Sequence, residues 1–412
     1  MTPSTFGWVD FVEEDRRKML DVVHLFREKD TRDELGLGTI RDAFADYLFP
    51  GTSTVQTRVR YMLFVPWMYQ RLEQRTIPSD QIDQKARDAE SWLISVLLKN
   101  EAEDGVIGSE AGKGLKRLPS NIYWSGLGVW GIRVFEGSQD EYHRHLDSFY
   151  RLQSSTSLCA KEADEEFHDA RRRPNWHPGL PKPPRGFPDN TSLALTREEA
   201  VYLRDRILHL HGDTLLAALL RKEKLFKTSF PWEHPIVPTL SAHMQTNLEH
   251  ARNFSEVMHG ASLLYNLLLS IKRQKEDWIA RYEKLFADWS EKIEVRREAL
   301  MGWYDNIDVF WHSTAVSMKP IGLPTRRFVE TWLDFALVSP GASRLPVCAP
   351  AASALCQREV ALKRNRARLE NPRALELWQG QSGIRQFNYR WPVASTFCED
   401  ILKGLRDGKA AA

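Results

Sequence analysis

Three groups of residues have the types and spacing to do chemistry. In NLEHARNFSEVMHGASLLYNLLL, Arg252, Glu256 and His259 fall at i, i+4 and i+7, within one narrow sector of a helix. A carboxylate beside an imidazole and a guanidinium can move a proton or hold an anion. The plainer reading is that buried polar residues pair with one another to avoid a desolvation penalty. In QREVALKRNRARLENPR, Arg358, Lys363, Arg364, Arg366, Arg368 and Arg373 outnumber Glu359 and Glu370. Such a surplus can track phosphates by charge alone. On one continuous helix Leu355, Leu362 and Leu369 share a stripe, and Arg364 and Arg368 point away from it and are exposed. The competing reading is a core-packed helix with a solvated cationic exterior.

The third group flanks Pro50-Gly51. Thr39 can cap a helix over IRDAFADYLF, and Thr52-Ser53 can cap a following helix that runs through Thr57, Arg58 and Arg60 into YMLFVPWMYQRLEQ. A helix-turn-helix of this kind would set Thr54, Gln56, Thr57 and Arg58 against base edges. The apolar run from Tyr61 and the presence of Pro66 argue instead for an element buried in its own domain. No metal or cofactor is expected, because His143 with His145 and His209 with His211 point apart on a helix and no thiol or carboxylate completes a set. GSEAGKG resembles a phosphate loop, but Leu115 and Lys116 follow Gly114 where the motif needs Lys-Ser or Lys-Thr. GxSxG and HExxH are missing as well, so the sequence leans away from an enzyme.

The elements that must position these groups read as helices. Amphipathic or capped segments are predicted over 9–28, 79–99, 212–226, 241–273, 275–302 and 325–337, with Thr196 and Glu199 forming a capping box before EEAVYLRDRILHL. Alternating period-2 runs are scarce. The expected class is therefore mainly α and multi-helical, with a helix-turn-helix-like N-terminal region. Six prolines from Pro174 to Pro188 require an irregular, largely exposed stretch. The division expected from this is an N-terminal helical domain (1–170), a Pro-rich connection (171–192), a central helical domain (193–338), a connector (339–354) and a basic C-terminal module (355–412). At 412 residues the chain exceeds the size at which one core stops growing.

Composition removes whole classes of function. Formal net charge is +2, from 57 basic and 55 acidic residues, so any polyanion site must be a local patch. Cys159, Cys348, Cys356 and Cys398 show no paired spacing, which suits reduced thiols in a cytoplasmic protein. The first residues lack the pattern of a secretory leader, and no apolar run approaches the roughly 20 residues that a bilayer span needs. The 14 tryptophans point first to large interlocking cores, and second to anchors at interfaces or stacking surfaces for bases.

The opening FGWVDFVEEDRRKMLDVVHLFREKDTRDELGLGTIRDAFADYLFPGTSTVQTRVRYMLFVPW resembles that of a bacterial domain-of-unknown-function family, number 6361. The likeness continues through LKRLPSNIYWSGLGVWGI, HARNFSEVMHGASLLYNLLL and QREVALKRNRARLENPRALELWQGQSG, essentially the whole chain. The resemblance brings no catalytic residues with it. It implies a genomic setting beside helicases and nucleases in bacterial defence clusters. The expectation is a non-enzymatic component of an anti-phage defence system that binds DNA, or a DNA-processing partner among other defence proteins. One alternative is a nuclease or nucleotide-acting hydrolase built on Arg252, Glu256 and His259. The other is an architectural scaffold whose Trp-rich surfaces bind proteins.

Overall fold

In a computed structural model the described residues are 33–100, 105–109, 117–159, 174–222, 225–315 and 320–410. The helix expected over 9–28 lies outside them. Helix dominates, as the periodicity predicts, and no strand occurs among the described residues; an isolated antiparallel bridge joins Arg133 to Trp176. Several ends form where local chemistry places them. Thr196 Oγ1 accepts from Glu199 N, and Glu199 Oε2 accepts from Thr196 N at 3.0 Å, so the capping box opens the helix Arg197–Leu210. The expected 241–273 helix runs Ala242–Lys272. At Gly38–Leu48 the cap is Asp33, not Thr39: its two carboxylate oxygens accept from Leu37 N and Gly38 N, both at 2.7 Å.

Elsewhere tertiary partners override local preference. The helix expected to start at Thr52-Ser53 begins only at Tyr61. Before it, Thr57 N and Arg58 N donate to Tyr123 Oη, and Val59 N donates to Asp400 Oδ2, so these amides are withdrawn from an i−4 ladder. The 212–226 helix shrinks to Leu215–Leu220, and from 225 to 240 the chain forms only two short 3-10 turns, Pro231–Glu233 and Val237–Thr239, among Pro231, Pro235 and Pro238. The basic helix stops at Lys363. Arg364 turns to φ +51°, a short 3-10 turn covers Arg364–Arg366, and a new helix spans Pro372–Glu376.

The chain forms two compact units, each discontinuous in sequence. One comprises Met1–Phe44 with Thr246–Phe387, the other Ala45–Gln245 with Asn388–Ala412. These bounds differ from the expected divisions: 171–192 lies inside the second unit and 339–354 inside the first. The reason is visible at the prolines. Trp67 Nε1 donates to Pro181 O at 2.7 Å, Arg71 Nη1 donates to Phe187 O at 2.6 Å, and the Phe187 ring packs on Phe64 and Trp67. The stretch is irregular, as expected, but only partly exposed. Pro174, Pro178 and Pro183 face solvent while Trp176, Pro181, Phe187 and Pro188 are buried in the wall of their own unit.

The first unit is organised on the C-terminal two thirds of Ala242–Lys272, where Leu263, Leu264, Tyr265, Leu267 and Leu269 are all buried. A helix apolar all round belongs in a core. Gly260 is required there, because a Cβ would lie 2.2 Å from Trp289 Cζ2. The indoles of Trp289 and Trp332 come close enough to donate to the carbonyls of Glu256 and Val257, at 2.8 and 3.0 Å.

Candidate nucleic-acid interface

The basic segment divides into cations that turn inward and cations that turn outward. Arg358 is buried: its Nε donates to Leu35 O at 2.8 Å, and its Nη2 donates to Gly36 O at 3.2 Å and to Thr325 Oγ1 at 2.8 Å. Its guanidinium lies over the Phe328 ring, and burial lowers its pKa. Gly36 has φ +68°, and a Cβ there would meet Arg358 Nη2 at 2.6 Å, so only glycine fits. Lys363 Nζ bonds Glu34, and reaches Glu359 Oε1 at 3.0 Å and Tyr265 Oη at 3.2 Å. Arg368 Nη1 donates to Glu34 Oε1 at 3.1 Å and Ser382 Oγ at 3.0 Å, and Ser382 Oγ itself donates to Glu34.

Two carboxylates and two cations thus close on each other in one buried cluster. Burial pushes Glu34 up, but Lys363 and Arg368 outweigh it and hold the carboxyl below its ordinary range. Glu359 is lowered too: burial is opposed by the Tyr265 hydroxyl, by Lys363 and by the amides of Arg368 and Leu369. Those amides donate at 3.0 and 2.9 Å, which folds the chain back onto the helix that ended at Lys363. Tyr265 Oη donates to Glu359 Oε1 at 2.5 Å, and burial with the two carboxylates raises its pKa.

Arg364, Arg366 and Arg373 remain on the outside, each exposed. Their turn is fixed from beneath by Glu359, and from the side by Asn371, whose Nδ2 donates to Asn365 O and whose Oδ1 accepts from Arg373 N at 3.0 Å. Arg364 is therefore where the sequence expects it. Arg368 is not: the helix on which it would share a direction with Arg364 ends first, and Glu34 draws it inward. Leu362 likewise leaves the expected stripe and is 43% exposed, whereas Leu355 and Leu369 are buried.

The other predicted residues are used internally. Thr57 Oγ1 donates to Gly105 O at 2.7 Å, and Arg58 forms a two-point bond to Asp400, Nε to Oδ2 at 2.9 Å and Nη2 to Oδ1 at 2.7 Å. Gln56 is buried, with its side chain bonded to Ser53 N and Gly51 O. Of the four base-reading candidates in that hairpin, only Thr54 is exposed. Arg252 Nε does donate to Glu256 Oε1, at 2.9 Å, but the second oxygen of Glu256 is taken by Arg296, which also bonds Glu249 and Asn253. His259 turns elsewhere. Its Nε2 donates to Ile384 O at 2.9 Å, and burial lowers its pKa to about 4, so the ring is neutral. The expected trio is thus an ion-pair group plus a separately bonded histidine.

Sequence reading missed the acidic partners. Glu359 and Lys363, at i and i+4, were within its reach. Glu34, Tyr265 and Ser382 carry no local signal. In the other unit it also missed Glu90, whose Oε2 accepts from Ser120 N at 2.8 Å and whose Oε1 accepts from Ser120 Oγ at 2.7 Å. Glu73 was missed as well; it accepts from Tyr142 Oη, Asn175 Nδ2 and Trp176 Nε1.

These features define a mainly α protein of two compact units in which a pinned turn displays three arginines. No helix among the described residues is long and apolar enough to cross a membrane. The chain matches the family of unknown function DUF6361 along residues 3–404, and it belongs to that family. No curated protein and no solved structure matches it.

Proposed function

We propose that the chain is a non-enzymatic component that contacts the phosphate backbone of nucleic acid through Arg364, Arg366 and Arg373. In this reading it works beside DNA-processing partners in the anti-phage setting that the family resemblance implies. The observation that carries the reading is the division of one basic segment. Arg358, Lys363 and Arg368 are consumed by internal partners, and their bonds hold rigid the turn from which the other three project. Cations presented on a fixed turn lose less conformational freedom on binding than cations on a mobile tail.

Counterion release makes the proposal measurable. Affinity for a DNA duplex should fall steeply with salt, and Arg364→Ala/Arg366→Ala/Arg373→Ala should flatten the log–log slope by roughly three. All three side chains are exposed, so the helical circular dichroism should not change. Absence of DNA or RNA binding at low salt, or a slope that the triple variant leaves unaltered, would overturn it.

A further inference from the structure

In the second unit a different combination of residues occurs just past the helix Leu215–Leu220. The stretch RKEKLFKTSFPW interleaves basic and aromatic residues. Arg221, Lys222 and Lys227 are exposed, and Phe226 is 47% exposed. Phe230 and Trp232 stack nearly parallel, ring centroids 4.7 Å apart and planes 11° from each other, with both rings only half-buried. Trp232 also meets Tyr389 edge-on, whereas Phe230 has no second ring neighbour among the described residues and is only half-buried.

The loop that carries this stack is not loose. Glu233 Oε2 accepts from Ser229 N and Phe230 N at 3.0 and 3.1 Å, Thr228 Oγ1 donates to Phe230 O, and Trp391 Nε1 donates to Thr228 O at 2.9 Å. Glu233 is therefore committed to the loop's own amides. A rigid aromatic face with cations beside it is complementary to a base and its phosphates.

We infer that this loop is a stacking platform for a single-stranded polynucleotide, in which a base continues the Phe230/Trp232 stack and Arg221, Lys222 and Lys227 meet the backbone. A duplex does not fit this role, because its bases are already stacked on each other. The inference does not depend on the arginine turn of the other unit, and the two can fail separately.

The test uses the full chain with labelled oligo(dT) and oligo(rU) of about 12 nucleotides, and a DNA duplex of equal length, followed by fluorescence anisotropy at low salt. At least one single strand should bind more tightly than the duplex. Phe226→Ala/Phe230→Leu, which keeps apolar bulk beside Trp232, should weaken single-strand binding about tenfold or more without altering its salt slope. Lys222→Gln/Lys227→Gln should instead flatten that slope by roughly two. Phe226→Ala alone, at an exposed position, should reproduce part of the loss if the double variant folds poorly. Replacing Arg364, Arg366 and Arg373 should leave the loss caused by the aromatic substitutions intact. In the Arg364→Ala/Arg366→Ala/Arg373→Ala background, duplex bound as tightly as both single strands, or single-strand affinity that the aromatic substitutions leave unchanged, would overturn the inference.

Discussion

Both units bury carboxylates, and they do so in opposite ways. In the first, Glu34 and Glu359 face Lys363 and Arg368, and both acids are held below their ordinary range. In the second, Glu90 receives good hydrogen bonds from Ser120, and Glu73 from Tyr142, Asn175 and Trp176, yet burial raises both, Glu90 to about 7. Around Glu90 the polar chain continues through neutral groups. Gln139 Nε2 donates to Ser120 Oγ and Tyr69 Oη, and Tyr69 Oη meets Nε2 of His143, whose pKa burial lowers. Full hydrogen bonding satisfies a buried acid's geometry, but keeping its charge requires a cation.

The largest expected effect comes from unbalancing the charged cluster. Glu359→Ala would leave Lys363 with one carboxylate in place of two, remove the acceptor for Tyr265, and orphan the amides of Arg368 and Leu369. Truncating one side of such a cluster costs about 3 to 5 kcal/mol, read from urea unfolding at neutral pH. The pH dependence has a definite sign. Because the folded-state pKa values of Glu34 and Glu359 are depressed, their stabilisation is present above the ordinary carboxylate range and is lost as pH falls through the folded values. A cost below about 1 kcal/mol would mean that the cations and carboxylates are solvated independently.

For Glu90 the sign reverses. Its folded-state value lies above its unfolded one, so the folded state binds a proton more readily, and stability falls as pH rises from about 4.5 to about 7. Glu90→Gln can keep both contacts, with the amide oxygen accepting from Ser120 N and the amide group donating to Ser120 Oγ. It removes only the charge. The variant should lose that pH slope and, at pH 8, be more stable than the parent by up to about 3 kcal/mol. Hydrogen exchange in Ile82–Asn100, compared with Ala349–Lys363, localises each effect to its own unit. A destabilised Glu90→Gln at pH 8 would show that the ionised form is what Ser120 supports.

What could be read from sequence follows the range of the interactions. Helices set by their own caps and apolar periods were legible: the Thr196–Glu199 box is where it was expected, and Ala242–Lys272 departs from the expected limits by one residue at each end. Features set by remote partners were not. Arg58 is claimed by Asp400, 342 positions away, and Arg368 by Glu34, 334 positions away, and neither separation leaves a trace in local spacing. Half of the candidate interface was therefore legible. The surplus of arginines marked the segment, but only the location of its acids could say which arginines face out. The unit boundaries were illegible for the same reason, since each unit joins segments distant in sequence.

The smallest expected effect tests whether exposure, and not the mere number of partners, decides what an ion pair contributes. Glu256 has two guanidinium partners, Arg252 and Arg296, as Glu34 has two cations. Its carboxylate is wetter, 20% exposed for the Glu256 side chain against 7% for Glu34 and 0% for Glu359, while the cations differ less, 34% for Arg252 and 17% for Arg296 against 18% for both Lys363 and Arg368. Water already solvates these charges in part, and Arg296 keeps Glu249 and Asn253 when Glu256 is neutralised. Glu256→Gln should therefore cost only about 1 kcal/mol or less in urea unfolding, and less again in high salt, where screening weakens the half-exposed pairs. The same salt should change the cost of Glu359→Ala less, because both carboxylates of that cluster are buried. If instead Glu256→Gln cost several kcal/mol with no response to salt, counting partners would suffice, and burial would not be what separates the two groups.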